Sequence, residues 1–140
     1  MMIRQIMIRH CKIEDIPEIL KIENLSFKYS YPSSIFYNYL KNLFFVAEGN
    51  GKIVGYAIAD KNRHLIVSIA VHPDYRNKGI GKMLMNEILK NMHGYAILQV
   101  RKSNKIAISF YKKLGFEEKD VIKSYYIDGE DAILMFRKLD

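Results

Sequence analysis

Residues 65–71 are apolar at every position except Ser68, and His72-Pro73-Asp74 ends the run. A run of this length, rich in β-branched side chains, predicts a central strand buried on both faces. Directly after the break, Arg76-Asn77-Lys78-Gly79-Ile80-Gly81 leads into residues 79–92, where Ile80, Met83, Leu84, Ile88 and Met92 recur at helical spacing. A buried strand, a glycine-bearing turn and an amphipathic helix follow one another without a linker. That order places the segment in a sheet with helices against its faces.

The remaining elements fit the same plan. Residues 6–9 read as a short strand. Residues 14–25 read as a helix with Ile16, Ile19, Leu20 and Glu23 on one face, and Pro17 falls in its first turn, where a missing N–H does no harm. A polar-aromatic loop, 29–34, precedes a second helix over 35–41. Strands at 44–48 and 52–60 flank Gly49-Asn50-Gly51, a strong hairpin signal. After Gly94 comes a strand at 95–100. A helix follows at 104–114, with Ala107, Phe110, Tyr111 and Leu114 inward and Gly115 as its stop. A strand region opens at 116–118 and extends to Tyr126, Asp128-Gly129 turns the chain, and 132–137 forms the last strand. The expected architecture is mixed α/β. It is one domain, 1–140, with a single twisted mixed sheet of six to seven strands and helices on both faces. Folding at this length removes roughly two-thirds of the unfolded chain's surface from water.

The net charge is +7. It fits either a solvated lysine-rich surface or attraction to an anion: RNA, a ribosome surface or a polyphosphate cofactor. The positive charges are scattered and never run to five in a row, so a dedicated nucleic-acid arm is not expected. Cys11 is the single cysteine, which excludes an internal disulfide and suits a reducing compartment. No Cys/His set accompanies it, and no metal is expected. Residues 1–7, with Arg4 among them, lack an apolar stretch of signal-peptide length, and no segment approaches the ~20 apolar residues that span a membrane. The expectation is a cytoplasmic protein without a membrane partner.

The turn from Arg76 to Gly81 carries its own chemistry. A helix start leaves several N–H groups unpaired and carries about half a positive charge. Glycines let that backbone approach a phosphate, and Arg76, Lys78 and Lys82 add charge. Such a turn suits a pyrophosphate. It also suits an ordinary strand–helix connection, because it lacks the first glycine of the Rossmann fingerprint and the Lys-Ser/Thr ending of the P-loop.

Ala70-Val71-His72-Pro73-Asp74-Tyr75, followed by Arg76, Gly79 and Gly81, resembles the acetyl-CoA motif of GNAT acetyltransferases. The second half is a longer match. Gln99-Val100-Arg101-Lys102-Ser103-Asn104, Ala107, Phe110-Tyr111, Leu114-Gly115-Phe116, Ser124-Tyr125-Tyr126 and Gly129-Glu130-Asp131-Ala132 resemble protein N-terminal acetyltransferases. These include the bacterial ribosomal-protein alanine N-acetyltransferases (RimI type) and their archaeal and eukaryotic relatives. The resemblance extends from Met7 to about Lys138.

The resemblance implies the GNAT fold, with a splayed pair of central strands, and acetyl-CoA as cofactor. The amides of Arg76, Asn77, Lys78, Gly79, Ile80, Gly81 and Lys82 would hold its pyrophosphate. The strand Ile69, Ala70 and Val71 would bind the pantetheine arm, Asn104 would contact that arm, and Tyr111 would sit beside the thioester sulfur. Tyr125 and Tyr126 would line the slot for the substrate's first residues; from the loop's own composition Tyr29 and Tyr31, with Pro32, are expected to shape that acceptor pocket, and Glu23 is placed beside it. The implied partners are protein or peptide N-termini, ribosomal proteins among them, with the chain a monomer or weak dimer. Structural roles compete with some of these. Asn104 also suits a helix cap, Tyr111 a core aromatic, and Glu23 either an organiser of the loop after it or an acceptor for backbone donors. Tyrosines at successive strand positions would put one ring on each sheet face.

One departure matters. Bacterial members carry glutamate and some eukaryotic relatives histidine where this chain has Gln99, and an amide is no general base at neutral pH. An α-amine, with a pKa near 7.7–8.0, reaches its neutral form at pH 7 for roughly 1 kcal/mol, whereas a lysine near 10.4 needs about 4.6. A site without a strong base is therefore better matched to α-amines. Gln99 would hold a water that relays the proton, and Tyr111 would protonate the leaving thiolate. His72 is a weaker candidate base, and His10, His64 and His93 show no triad spacing. Acetylation of lysines or small amines such as polyamines, and a non-catalytic acetyl-CoA-binding or ribosome-associated module, stay open as alternatives.

Overall fold

The computed structural model describes residues 5–140. Arg4, part of the argument against a leader segment, lies outside the described residues. The chain divides into two compact units, Met1–Asn91 and Met92–Asp140. Among the described residues there are seven strands and four α-helices.

In the first unit, β1 (Ile6–His10), β2 (Leu43–Gly49), β3 (Lys52–Asp60) and β4 (Leu65–Val71) pair in sequence order, every pair antiparallel. The β2–β3 connection is the expected tight hairpin. Asn50 at φ 53° and Gly51 at φ 75° supply the two left-handed residues that its twist requires. The helix expected at 14–25 begins as a single 3-10 turn, Ile13–Asp15, and continues as α1 (Ile16–Ser26), with Pro17 in the first turn. Its inward face is Ile16, Ile19, Ile22 and Glu23, so Ile22 takes the place given to Leu20, which is only half-buried. The second helix, α2 (Ser33–Asn38), starts two residues earlier than the sequence suggests and stops three earlier.

α1 and α2 cover one face of the first sheet, where Ile16, Ile19, Ile22, Phe36, Phe44, Val46, Tyr56 and Ile58 form a core. Phe36, Phe44 and Tyr56 meet there edge-on or tilted, their ring centroids 5.8–6.5 Å apart. Helix α3 (Ile80–Lys90) packs against this sheet by way of Gly55. A Cβ at Gly55 would lie 3.0 Å from the Ala70 carbonyl and 3.1 Å from a Leu84 methyl, so only glycine admits the helix this close. The buried face of α3 is Ile80, Leu84, Met85, Ile88 and Leu89. Met83, placed inward by its spacing, is 39% exposed. A short helix accepts either neighbouring stripe, and Met85 with Leu89 turns this one by one position. β4 is not buried on both faces either: Ile66, Ser68 and Ala70 are buried, whereas Leu65, Val67, Ile69 and Val71 are only half-buried.

In the second unit, β7 (Ala132–Lys138) lies between β5 (Tyr95–Arg101) and β6 (Glu117–Ile122), antiparallel to both. Helix α4 (Lys105–Lys113) is capped by Asn104, whose Oδ1 accepts from the Ala107 amide at 3.1 Å. Ile108 is its one fully buried residue, while Ala107, Phe110, Tyr111 and Leu114 are half-buried. β6 ends at Ile122, so Tyr125 and Tyr126 stand in an irregular connection and not on a strand. Ser124 at φ 51° turns the chain out of the ladder ahead of them. Among the described residues no helix is long and apolar enough to cross a membrane.

Candidate functional site

The first unit carries the turn in which the sequence places a pyrophosphate site. Beyond β4, Pro73–Tyr75 forms a 3-10 turn capped by His72, whose Nδ1 accepts from the Asp74 amide at 3.1 Å. The His72 ring also meets Tyr75 edge-on, with centroids 5.9 Å apart. The imidazole thus has a structural task as the cap of this turn, with the Asp74 carboxylate 3.9 Å from the same nitrogen. Asn77 at φ 61° and Gly79 at φ 82° then reverse the backbone into α3. Gly79 is the N-cap residue of α3 and supplies no side-chain cap. The first-turn amides at Ile80, Gly81 and Lys82 precede any intrahelical acceptor, and a Cβ built at Gly79 would meet nothing within 4 Å. An uncapped helix start with open space before it fits a pyrophosphate group.

Arg76 acts differently from the simple charge donor expected. Its Nε donates to the Val71 carbonyl at 2.9 Å and its Nη2 to Ser26 Oγ at 3.2 Å. It ties the turn to the end of β4 and to the last turn of α1, adding its charge from that fixed place.

The β4 register orients the next part. The His72 amide donates to the Val54 carbonyl at 2.8 Å, and Ala70 lies opposite Tyr56. In an antiparallel ladder backbone groups alternate in direction. Those of Ala70 therefore face β3 with His72, and those of Ile69 and Val71 point away from it. Of the three strand residues assigned to the cofactor, Ile69 and Val71 have backbone groups so directed and Ala70 does not.

Among the described residues of the first unit, Glu23 is the most deeply buried acidic side chain, 1% exposed beside the apolar cluster. Tyr56 Oη donates to its Oε1, with Ser68 Oγ 3.0 Å from that hydroxyl, and the Tyr31 amide donates to its Oε2 at 3.0 Å. Both roles considered for Glu23 are thus one: by accepting a backbone donor it pins the loop between α1 and α2. Burial, with the adjacent Glu23 carboxylate, drives the Tyr56 phenol far above its ordinary value, so it remains a donor. The sequence gives no sign that Tyr56 and Ser68 meet Glu23, because their spacings of 33 and 45 residues fall outside any local period. Tyr29 and Tyr31 are about half exposed on the pinned loop.

The second unit carries Gln99, Asn104, Tyr111, Tyr125 and Tyr126. Gln99 is half-buried on β5 opposite Leu134. Tyr111 lies between Phe110 and Phe116, at centroid distances of 5.3 and 5.9 Å. Burial, then the proximity of Tyr126, pushes its phenol above the ordinary tyrosine range. Tyr125 and Tyr126 touch edge to face at 5.0 Å, which a regular strand would forbid.

Residues 13–116 match the acetyltransferase (GNAT) family. The chain is 40% identical to an N-alpha-acetyltransferase of Sulfurisphaera tokodaii, over 91% of this chain and 90% of that one. It is 32% identical to the [ribosomal protein bS18]-alanine N-acetyltransferase of Escherichia coli K12, over 86% of this chain and 89% of that one. The crystal structure of Ard1 from Thermoplasma volcanium superposes with a TM-score of 0.89 at 29% identity, covering 96% of this chain and 98% of that one.

Proposed function

The chain belongs to the acetyltransferase (GNAT) family, and from that premise we propose that it transfers the acetyl group of acetyl-CoA to the α-amino group of protein N-termini. Ribosomal proteins are among the acceptors proposed. The observation that carries the reading is the left-handed turn at Asn77 and Gly79 feeding an uncapped helix, next to a strand whose Ile69 and Val71 groups point away from β3.

Acetyl-CoA supplies an activated thioester carbonyl. The amides from Gly79 to Lys82 would hold its pyrophosphate, with Lys78 and Lys82 adding charge and Arg76 fixing the turn. The Ile69 and Val71 amides would offer donors to the pantetheine arm and to the acyl oxygen. Asn104 spends Oδ1 on its helix cap, which leaves its amide nitrogen to donate to the arm. Gln99 orients a water that carries the α-amine's proton outward. Tyr111 keeps its proton throughout the neutral range. Full transfer to a thiolate, with an ordinary thiol pKa near 8.5, is uphill from a phenol held above 10 by more than about 2 kcal/mol. Tyr111 is therefore a hydrogen-bond donor to the departing sulfur rather than the acid that finishes its protonation. Glu23 keeps Tyr29 and Tyr31 in place for the acceptor through the loop it pins.

The test is an assay with acetyl-CoA and two peptides, one with a free N-terminus and no lysine, the other blocked and carrying one lysine. Mass spectrometry locates the label. Labelling at the α-amine alone is the expected result. Labelling mainly at lysine would require a base that Gln99 cannot be and would overturn the reading.

A further inference from the structure

Arg101, the last residue of β5, is held by three neighbours at once. Its Nη1 lies 3.1 and 3.0 Å from the two Asp128 carboxylate oxygens and 2.8 Å from Glu130 Oε1. Its guanidinium carbon sits 4.1 Å from the centroid of the Tyr126 ring. The carboxylates lie in the same β6–β7 connection as the tyrosine, so one arginine grips the second half of that connection at two points and stacks on the ring that precedes them.

The connection is otherwise built to be held. The Tyr126 amide donates to the Glu130 carbonyl at 3.1 Å and the Gly129 amide to the Tyr126 carbonyl at 2.8 Å. Glu130 Oε2 accepts from the Ser103 amide at 2.9 Å, and the Lys102 amide donates to the Asp131 carbonyl at 3.1 Å. Asp131 Oδ1 accepts from the Ser124 amide at 3.0 Å. These bonds fix the backbone. The Arg101 contact is of another kind, because it bears on the ring of Tyr126, and that ring in turn meets Tyr125 edge to face. Tyr125 is about half exposed. A guanidinium is planar and stacks on a ring face, whereas an ammonium is a point charge that can keep the ion pair but not the plane.

We propose that Arg101 is a positioning residue for the acceptor peptide: clamped by Asp128 and Glu130, it sets the Tyr126 ring and, through it, Tyr125. The proposal rests on the reading that this tyrosine pair lines the acceptor site. It places the effect of Arg101 on peptide KM, with acetyl-CoA KM and turnover at saturating peptide left near the parent values.

The experiment measures kcat and both KM values for the parent chain, Arg101→Lys and Arg101→Met, with thermal melting of each. Arg101→Lys keeps a cation between the carboxylates, so it provides a folded variant should Arg101→Met prove unstable. Expected is a rise of about 10-fold in peptide KM for each folded variant, with acetyl-CoA KM within about twofold. An unchanged peptide KM in a folded variant overturns the assignment, as does an equal rise in the KM of both substrates, the mark of general loosening. Failure of the parent chain to label any α-amine is a different result: it sinks the N-terminal reading and takes this proposal with it. Parent turnover with unmoved peptide KM in the variants sinks the Arg101 role alone.

Discussion

Tyr111 and Gln99 carry opposite consequences of burial and charge. The phenol of Tyr111 is pushed up by burial, so it does not titrate between pH 6 and 9. The turnover of the parent chain should show no fall toward pH 9 from loss of this proton. Tyr111→Phe should lower kcat about 10²-fold, the scale of losing one preorganised hydrogen-bond donor, with acetyl-CoA KM within about threefold, and equal activity would remove the hydroxyl from the mechanism. Gln99→Glu installs an authentic base and should preserve or raise turnover, with a new rising limb at the carboxylate's pKa; a collapse would show that the amide itself is needed. Cys11 gives a third test. Burial, then the charge of Asp15, pushes its thiol up to about 12. Iodoacetamide at pH 8 should alkylate the folded protein about 10³-fold more slowly than the urea-unfolded chain, and equal rates would contradict the burial. At this scale the sequence displays residue identity and little else. Asn104 reads as a cap because capping is local. Glu23 shows only that it is out of place on an apolar face, because its partners Tyr56 and Ser68 arrive from distant strands.

The turn before α3 was legible as an element, yet its two glycines have different duties. Gly79 sits at φ 82°, where a side chain costs about 1–2 kcal/mol. Gly81 lies inside α3 and outside the left-handed region. Gly79→Ala should therefore lower the melting temperature by a few degrees and raise acetyl-CoA KM together. Gly81→Ala should leave the melting temperature unchanged or raise it by a few degrees, alanine being the better helix former, and still raise acetyl-CoA KM about 10-fold, because it removes the room for close approach. Loss of stability at Gly81 with no change in KM would assign that glycine to packing. Elements defined by local signals were read well: the Asn50-Gly51 hairpin, the proline start of α1 and the glycine stop after α4 all depend on residues within one turn. Faces were read less well. Met83 and Met85 are equally apolar, and which one turns inward is decided by Gly55 opening the sheet to Leu84, a tertiary fact. The strand expected to reach Tyr126 ends at Ile122 because Ser124 turns left-handed under the hold of Asp131, seven residues on.

Charge at the scale of the whole molecule explains what acid will do. The chain carries +7 near neutrality, and each carboxylate that protonates adds to that excess. Several carboxylates are held below their ordinary range. Burial alone would raise Asp15, but Arg9 bonds it at 2.8 and 3.0 Å and the Lys12 amide at 2.8 Å, and the balance lowers it. Arg9 also holds Glu48 at 2.9 Å, so one arginine joins β1, β2 and the turn before α1. In the second unit Lys112 lowers Glu118, Ser103 and Arg101 lower Glu130, and the Ser124 amide lowers Asp131. A group depressed on folding contributes stability that is complete above its unfolded pKa, near 3.9 for aspartate and 4.3 for glutamate, and is lost as pH falls through the lower folded value. Stability should therefore hold between about pH 5 and 7 and fall steeply below about pH 4, most of all at low salt, where the positive excess is least screened. Asp15→Asn isolates one contribution. Arg9 keeps Glu48, so the variant should fold. It should lose about 2 kcal/mol at pH 7, the scale of hydrogen bonds to a charged group, and less than that at pH 3, which lies below the unfolded aspartate's value near 3.9, so that part of the parent's advantage is already gone. Urea midpoints at the two pH values measure this. A loss of equal size at both would mean that Asp15 acts by shape and backbone contact alone, with its charge irrelevant to the fold.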